Sequence, residues 1–240
     1  MKFSIRAVSA LTTAILLSAC GGGSSNYVPA PLPVQLSIDF NTEPVGWISG
    51  TSDFSTSTKP VDMLTEYRVL PLPFSGKALY TFGTNKSDDL FIYIKKKYTG
   101  FAPNTQYALR FQTTIVSNVA SGCFGVGGSP GDSVWVFAGA SATEPLTVQK
   151  GEEFTMNIDR GGQSGSGKFA QVLGTIGNAS TDCGQAPYME KKLTNQADLN
   201  VTTDANGSLW LLFGMDSGFE AASHIYYKNI VVNAEPVAGK

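Results

Sequence analysis

The sequence predicts an all-β fold, an antiparallel sandwich of two sheets, jelly-roll-like, with few or no helices. Three observations point there. Apolar residues recur with period two in short runs, 26 glycines and 12 prolines punctuate those runs, and only 15% of the 240 residues are charged. Hydrophobic residues at 42% are enough to fill a sizeable core, which excludes a chain disordered throughout. The runs fall at residues 34–40, 78–83, 90–94 and 107–116, then at 134–138, 154–159, 169–176, 209–213 and 225–232. In the longest, Tyr107, Leu109, Phe111, Thr113 and Ile115 share one face while Arg110 and Gln112 share the other. That alternation predicts a half-buried antiparallel strand whose second face meets solvent. Residues 188–199 are the best helical alternative, and they are short and polar enough to support one or two turns at most. Neither a repeat period nor a linker interrupts residues 34–240, so they are expected to form a single sandwich domain.

Ahead of that domain the composition changes. Lys2 and Arg6 precede a mainly apolar run at residues 11–17, too short for the roughly 20 residues a permanent membrane helix needs. Leu17-Ser18-Ala19-Cys20 follows, with leucine three positions before a cysteine and small residues between them. The segment resembles the signal peptide and lipobox of bacterial lipoproteins. The resemblance implies cleavage after residue 19 and lipidation of Cys20 by palmitate-type acyl chains. At about 0.8 kcal/mol per buried methylene, several tens of methylenes would make membrane attachment effectively permanent. Gly21 after the cysteine, where inner-membrane retention uses aspartate, implies a lipid anchor in the outer membrane of the cell envelope. Residues 20–33, a Gly/Ser start and a Pro-rich end after Cys20, read as a lipidated flexible tether.

Cys123 and Cys183 remain, and two cysteines in an oxidising compartment are expected to pair. Closing a loop of about sixty residues restricts the unfolded chain by roughly 4 kcal/mol. Such a bridge carries structure rather than chemistry.

Charge and motif content exclude several functions. A formal net charge of -2 supplies no cationic excess to neutralise phosphates, so no nucleic-acid partner is expected. Residues 162–168 match the G-x-x-x-x-G-K spacing of a phosphate loop, but Phe169 replaces the magnesium-binding hydroxyl and strand-like residues follow instead of a helix. A polar hairpin is the better reading. His224 is the one histidine, and Ser217 in Gly214-Met215-Asp216-Ser217-Gly218 lacks the glycine spacing of a nucleophile elbow. Asp132, Asp159, Asp216 and Glu220 are loop-adjacent carboxylates, yet none forms the same-face acidic series of sandwich glycosidases. The expectation is therefore a non-enzyme without a cofactor.

What remains is binding. Trp47, Trp135, Trp210 and Tyr226 are aromatic candidates for stacking on sugar rings, with Asp159, Asp216 and Glu220 as hydroxyl acceptors. Trp135 and Trp210 alternate out of phase with their aliphatic neighbours, which places them on a face opposite the main core or on a second covered one. Asp216 and Glu220, four apart around Gly218, also offer two oxygen ligands to calcium, short of a full cage.

Residues 209–220 and 224–232, with 127–134 and 156–159, resemble a group of bacterial lipoproteins with β-sandwich bodies and no assigned activity. More loosely, Ile38-Asp39-Phe40-Asn41 with Gly46-Trp47 and the closing Tyr226-Tyr227-Lys228-Asn229-Ile230 resemble jelly-roll carbohydrate-binding modules. Lys228 and Asn229 stand where such modules often carry acids. This resemblance implies a non-catalytic, lipid-anchored binding face for glycan. The alternative is a structural or assembly lipoprotein whose exposed sheet edge meets another envelope protein, and a carbohydrate-active enzyme ranks third.

Overall fold

Period-two alternation becomes seventeen strands in the computed structural model, which describes residues 30–238. In chain order they are β1 (Val34–Asp39), β2 (Ile48–Ser52), β3 (Phe54–Ser55), β4 (Val61–Val69), β5 (Lys77–Thr84), β6 (Leu90–Thr99) and β7 (Gln106–Ser117). There follow β8 (Val134–Ser141), β9 (Thr147–Lys150), β10 (Glu153–Met156), β11 (Gly161–Gly162), β12 (Gly165–Ser166) and β13 (Ala170–Thr175). The last four are β14 (Met189–Thr194), β15 (Leu199–Thr202), β16 (Ser208–Ser217) and β17 (Ala222–Pro236). Among the described residues the helical content is one 3-10 turn, Phe40–Thr42, whose start is capped by Asp39 accepting the Asn41 N–H.

Two antiparallel sheets make a jelly-roll-like sandwich. The seven-stranded sheet runs β14-β7-β17-β5-β4, with β1 pairing β17 and β15 pairing β7; the five-stranded sheet runs β13-β8-β16-β6-β2. The inward phase of each strand fills the space between them. Phe111, Ile115 and Tyr227 from the larger sheet meet Ile92, Val136, Leu211 and Phe213 from the smaller, all nearly or fully buried. Phe111 meets Phe213 edge-on across the gap, with ring centres 5.8 Å apart. Burying each such side chain contributes about 1.5–3 kcal/mol. On β7 the face carrying Tyr107, Leu109, Phe111, Thr113 and Ile115 is buried, and Arg110 on the other face is exposed.

Residues 188–199 contain no helical turn. Met189, Lys191 and Leu193 alternate inward on β14, and pairing with β7 supplies the hydrogen bonds a short polar helix would have had to make internally. Cys123 and Cys183 form a disulfide with Cα atoms 5.6 Å apart. It ties the glycine-rich loop after β7 to the loop before β14. Residues 1–19 and Cys20, with most of the tether, lie outside the described residues.

Candidate functional site

The outward phase of the seven-stranded sheet builds a trough of about 680 Å3. Register explains its floor. Lys192 on β14 faces Thr114 on β7, which faces Asn229 on β17, which faces Asp39 on β1. One step along, Thr194, Gln112, Val231 and Ser37 form a parallel row in the same strand order. Amide, hydroxyl and charged groups thus project from four adjacent strands, on the face opposite the core. Lys77, Lys192, Lys228, Asp39 and Glu190 are the charged lining residues, and the signs nearly balance. Lys228 bonds Glu190 at 2.5 Å, and Lys77 pairs with Glu43 at the rim.

An irregularity on β17 marks where the trough ends. Tyr227 faces Ile115 and Asn229 faces Thr114, leaving Lys228 as the extra residue of a bulge. Beyond it the same outer face turns aromatic. Tyr226 packs 4.8 Å from Tyr80 and 5.9 Å from Tyr188, ring centre to ring centre. Arg68 places its guanidinium 4.2 Å over the Tyr80 ring. Tyr226 and Tyr80 are buried within this cluster, whereas Phe74 and Tyr188 remain half exposed at its edge. Phe74 lies 5.8 Å from the Lys228 ammonium and Leu70 belongs to both regions, so aromatic band and polar trough are continuous.

The five-stranded sheet treats its outer face differently. Phe91, Asp216 and Trp135 form one cross-strand row, Tyr93, Gly214 and Phe137 the next. Gly214 has no side chain because a Cβ there would lie 2.5 Å from the Phe91 ring. Met156, Ile158 and Phe169 come down from the excursion between β8 and β13 and bury this face as a second core. At its centre Arg160, 3% exposed, bonds Asp216 at 2.6 Å and also bonds Asp53. Its guanidinium sits 4.1 Å from the Phe91 ring centre. Burial works to lower the Arg160 pKa, and the Asp216 and Asp53 charges more than offset it. The Gln163 N–H gives Asp216 Oδ2 a further bond of 2.7 Å.

Asp89 joins this cluster in hydrogen-bonding contact with Asp216. Its pKa is pushed up to about 8, by burial first and then by the Asp216 and Asp53 charges. One oxygen of each carboxyl, Asp89 Oδ1 and Asp216 Oδ1, is buried with no hydrogen-bond partner when both groups are ionised. A proton on Asp89 removes the repulsion and lets one carboxyl donate to the other.

The residues nominated from sequence are spread over several places. Trp47 packs into the main core, 5.4 Å from Phe40, with its indole N–H buried and unpartnered. Trp135 lies half-buried on the covered outer face, against the second core. Trp210 shares that sheet face farther along, beneath the Lys95 ammonium at 5.4 Å. Tyr226 alone is on the face that carries the trough. Asp159 is a turn cap, its oxygens accepting the Gly161 and Lys168 N–H groups. Glu220 is exposed beside Asp88, whose hydrogen bond raises its pKa. Asp216 and Glu220 therefore sit in different surroundings, with an arginine already on the first of them. Among the described residues, no group of three or more His, Cys, Asp or Glu is placed to hold a metal ion.

Residues 162–168 run from the end of β11 through the Gln163-Ser164 turn and β12 to the two residues after it, a hairpin as expected. His224 Nε2 lies 3.0 Å from Asn118 Oδ1, and burial lowers its pKa. Sequence reasoning overlooked Asp39, Gln112, Thr114, Lys192 and Asn229. Their signal was present as the polar phase of β1, β7, β14 and β17.

No family model and no curated protein matches the chain. Among solved structures, the chain is similar to TmCBM27, a carbohydrate-binding module described for specific mannan recognition, at 11% identity over 85% of this chain and 98% of that one, TM-score 0.39. The family 11 carbohydrate-binding module of the Clostridium thermocellum cellulase Lic26A-Cel5E aligns at 9% identity over 83% and 94%, TM-score 0.40. The K1 adhesin domain of Lys-gingipain from Porphyromonas gingivalis W83 aligns at 10% identity over 85% and 99%, TM-score 0.38.

Proposed function

We propose that this chain is a non-catalytic, lipid-anchored protein of the bacterial cell envelope, attached through Cys20 to the outer membrane, whose open trough binds a glycan chain. The reading is carried by the two in-register rows across four strands, polar at every position but Val231, next to a half-exposed aromatic edge. Adjacent sugar hydroxyls need donors and acceptors side by side, which Asn229 and Gln112 amides and the Asp39 carboxylate supply. The four strands span about 14 Å at ordinary strand spacing, long enough for more than one sugar ring. Phe74 and Tyr188 offer apolar surface to pyranose C–H groups at the trough's end. Near-balanced lining charge favours a neutral or weakly charged saccharide over a polyanion.

Affinity electrophoresis against cell-wall and capsular polysaccharides tests this directly. Gln112→Ala with Asn229→Ala is expected to weaken retention about tenfold, the loss of roughly one net hydrogen bond at each site. Stability should stay within about 0.5 kcal/mol, as for other surface changes. Absence of retention on any polysaccharide, or retention untouched by the double substitution, would refute the trough as the site. The anchor has a separate test: Cys20→Ser should move the protein from the membrane to the soluble fraction, and unchanged fractionation would refute lipidation.

A further inference from the structure

We propose that β4 is a self-association edge, pairing antiparallel with β4 of a second copy about Tyr67. β4 ends the seven-stranded sheet, and among the described residues its ladder partner is β5 on one side only. The other side presents backbone N–H and C=O groups to any strand that can align with them. Exposed apolar side chains gather along this margin. Val69 is 70% exposed on the strand itself and Leu72 is 87% exposed in the turn after it. Val45, 85% exposed, lines the same cleft as Thr65 and Tyr67.

The sequence of the strand selects the occupant. A bulge falls between Val61 and Leu64, with Asp62 in the left-handed region at φ 54°, so regular pairing is confined to the residues after it. Those residues include Thr65-Glu66-Tyr67-Arg68-Val69. An antiparallel copy centred on Tyr67 sets Glu66 opposite Arg68 of the second copy and Arg68 opposite its Glu66. It also covers each exposed Val69 with a Thr65. Both charges lie on the outer face, where Glu66 accepts from Arg68 within the chain. The two copies together form a four-charge cluster of alternating sign. Centring on Glu66 would instead bring two glutamates face to face, so the register is selected by charge. A foreign strand would need an acid and a base at matched positions, whereas a second copy supplies them by symmetry.

An antiparallel ladder between identical strands has its two-fold axis perpendicular to the sheet. Both copies then direct their outer faces to the same side, and the two troughs open in one direction. A polymer long enough to reach both would be held at two points, which raises avidity without any new contact. The pairing itself does not depend on what the trough binds.

Intact membrane-attached chain carrying Thr65→Cys and Val69→Cys tests the register, because each new thiol faces its counterpart across the ladder. Mild oxidation is expected to give a reducible band at twice the chain mass. Adding Glu66→Arg, or Arg68→Glu, should lower that band at least tenfold, and combining the two reversals should restore it. Absence of the band, its persistence in either single reversal, or failure of the combined reversal to restore it would each overturn the proposal.

Discussion

The outer face of the five-stranded sheet is roofed by the excursion between β8 and β13, whereas part of the outer face of the seven-stranded sheet lies open as a trough. Both faces carry polar groups in the outward phase of their strands, and cover decides how those groups are handled. Asp216 lies under the roof, so water cannot solvate it and Arg160 must neutralise it at 2.6 Å. Asp39 on the open face needs no such partner and caps a turn with one oxygen. The contrast teaches that a buried charge cluster maintains one conformation, while a solvated polar row keeps its hydrogen-bonding capacity for a ligand.

The comparison breaks most clearly at Arg160. Arg160→Ala leaves Asp53 and Asp216 without their shared cation, and removing one partner of a buried pair costs about 3–5 kcal/mol. Urea unfolding should show that loss, with Tm lower by roughly 10 °C. Retention on a glycan below the lowered midpoint should survive, because the trough is on the other sheet. A stability change of less than about 1 kcal/mol would mean the roof does not rely on its arginine.

Next in size is the pH dependence of the roofed face. The folded-state pKa of Asp89, about 8, lies above its unfolded value near 4, so the folded state holds a proton that the unfolded state releases. Its contribution to stability is greatest below the unfolded value, declines as pH rises through the interval from about 4 to 8, and levels off above that. Asp89→Asn keeps a donor for Asp216 without a titrating proton. The variant should therefore gain a few degrees in Tm over wild type at pH 8 and nothing at pH 4. Parallel pH profiles for the two proteins would show that the Asp89–Asp216 contact does not hold the proton.

The smallest effect separates the two faces most sharply. Trp210→Ala removes a large half-buried aromatic from the five-stranded sheet, far from the trough, and should change glycan retention by less than about twofold. A tenfold loss would move the binding site to the opposite face, beside Lys95 and Trp210.

Much of the architecture was legible along the chain. Alternation on β7 by itself separates Phe111 from Gln112, and Cys123 and Cys183 are the pair that remains beside Cys20. Trp135 and Trp210 were correctly out of phase with the core. Which outward face is covered was not legible, because Met156, Ile158 and Arg160 reach it from an excursion that lies outside the strands of the five-stranded sheet. Arg160 lies in a glycine-rich stretch that reads as a loop, and nothing near it in sequence names Asp53 or Asp216 as its partners. Asn229 and Gln112 looked like ordinary solvent-facing positions, since a polar residue in an outward phase has that appearance whether or not its neighbours form a trough.

By itself the sequence determined the strand phases and the pairing of Cys123 with Cys183, because the first depends on local periodicity and the second on how few cysteines the body contains. Tertiary structure alone decided the row Lys192, Thr114, Asn229 and Asp39, the ion pairs of Arg160, and which outer face stays open. These depend on register between strands far apart in the chain, and a contact made across a sheet leaves no periodic trace along any one strand.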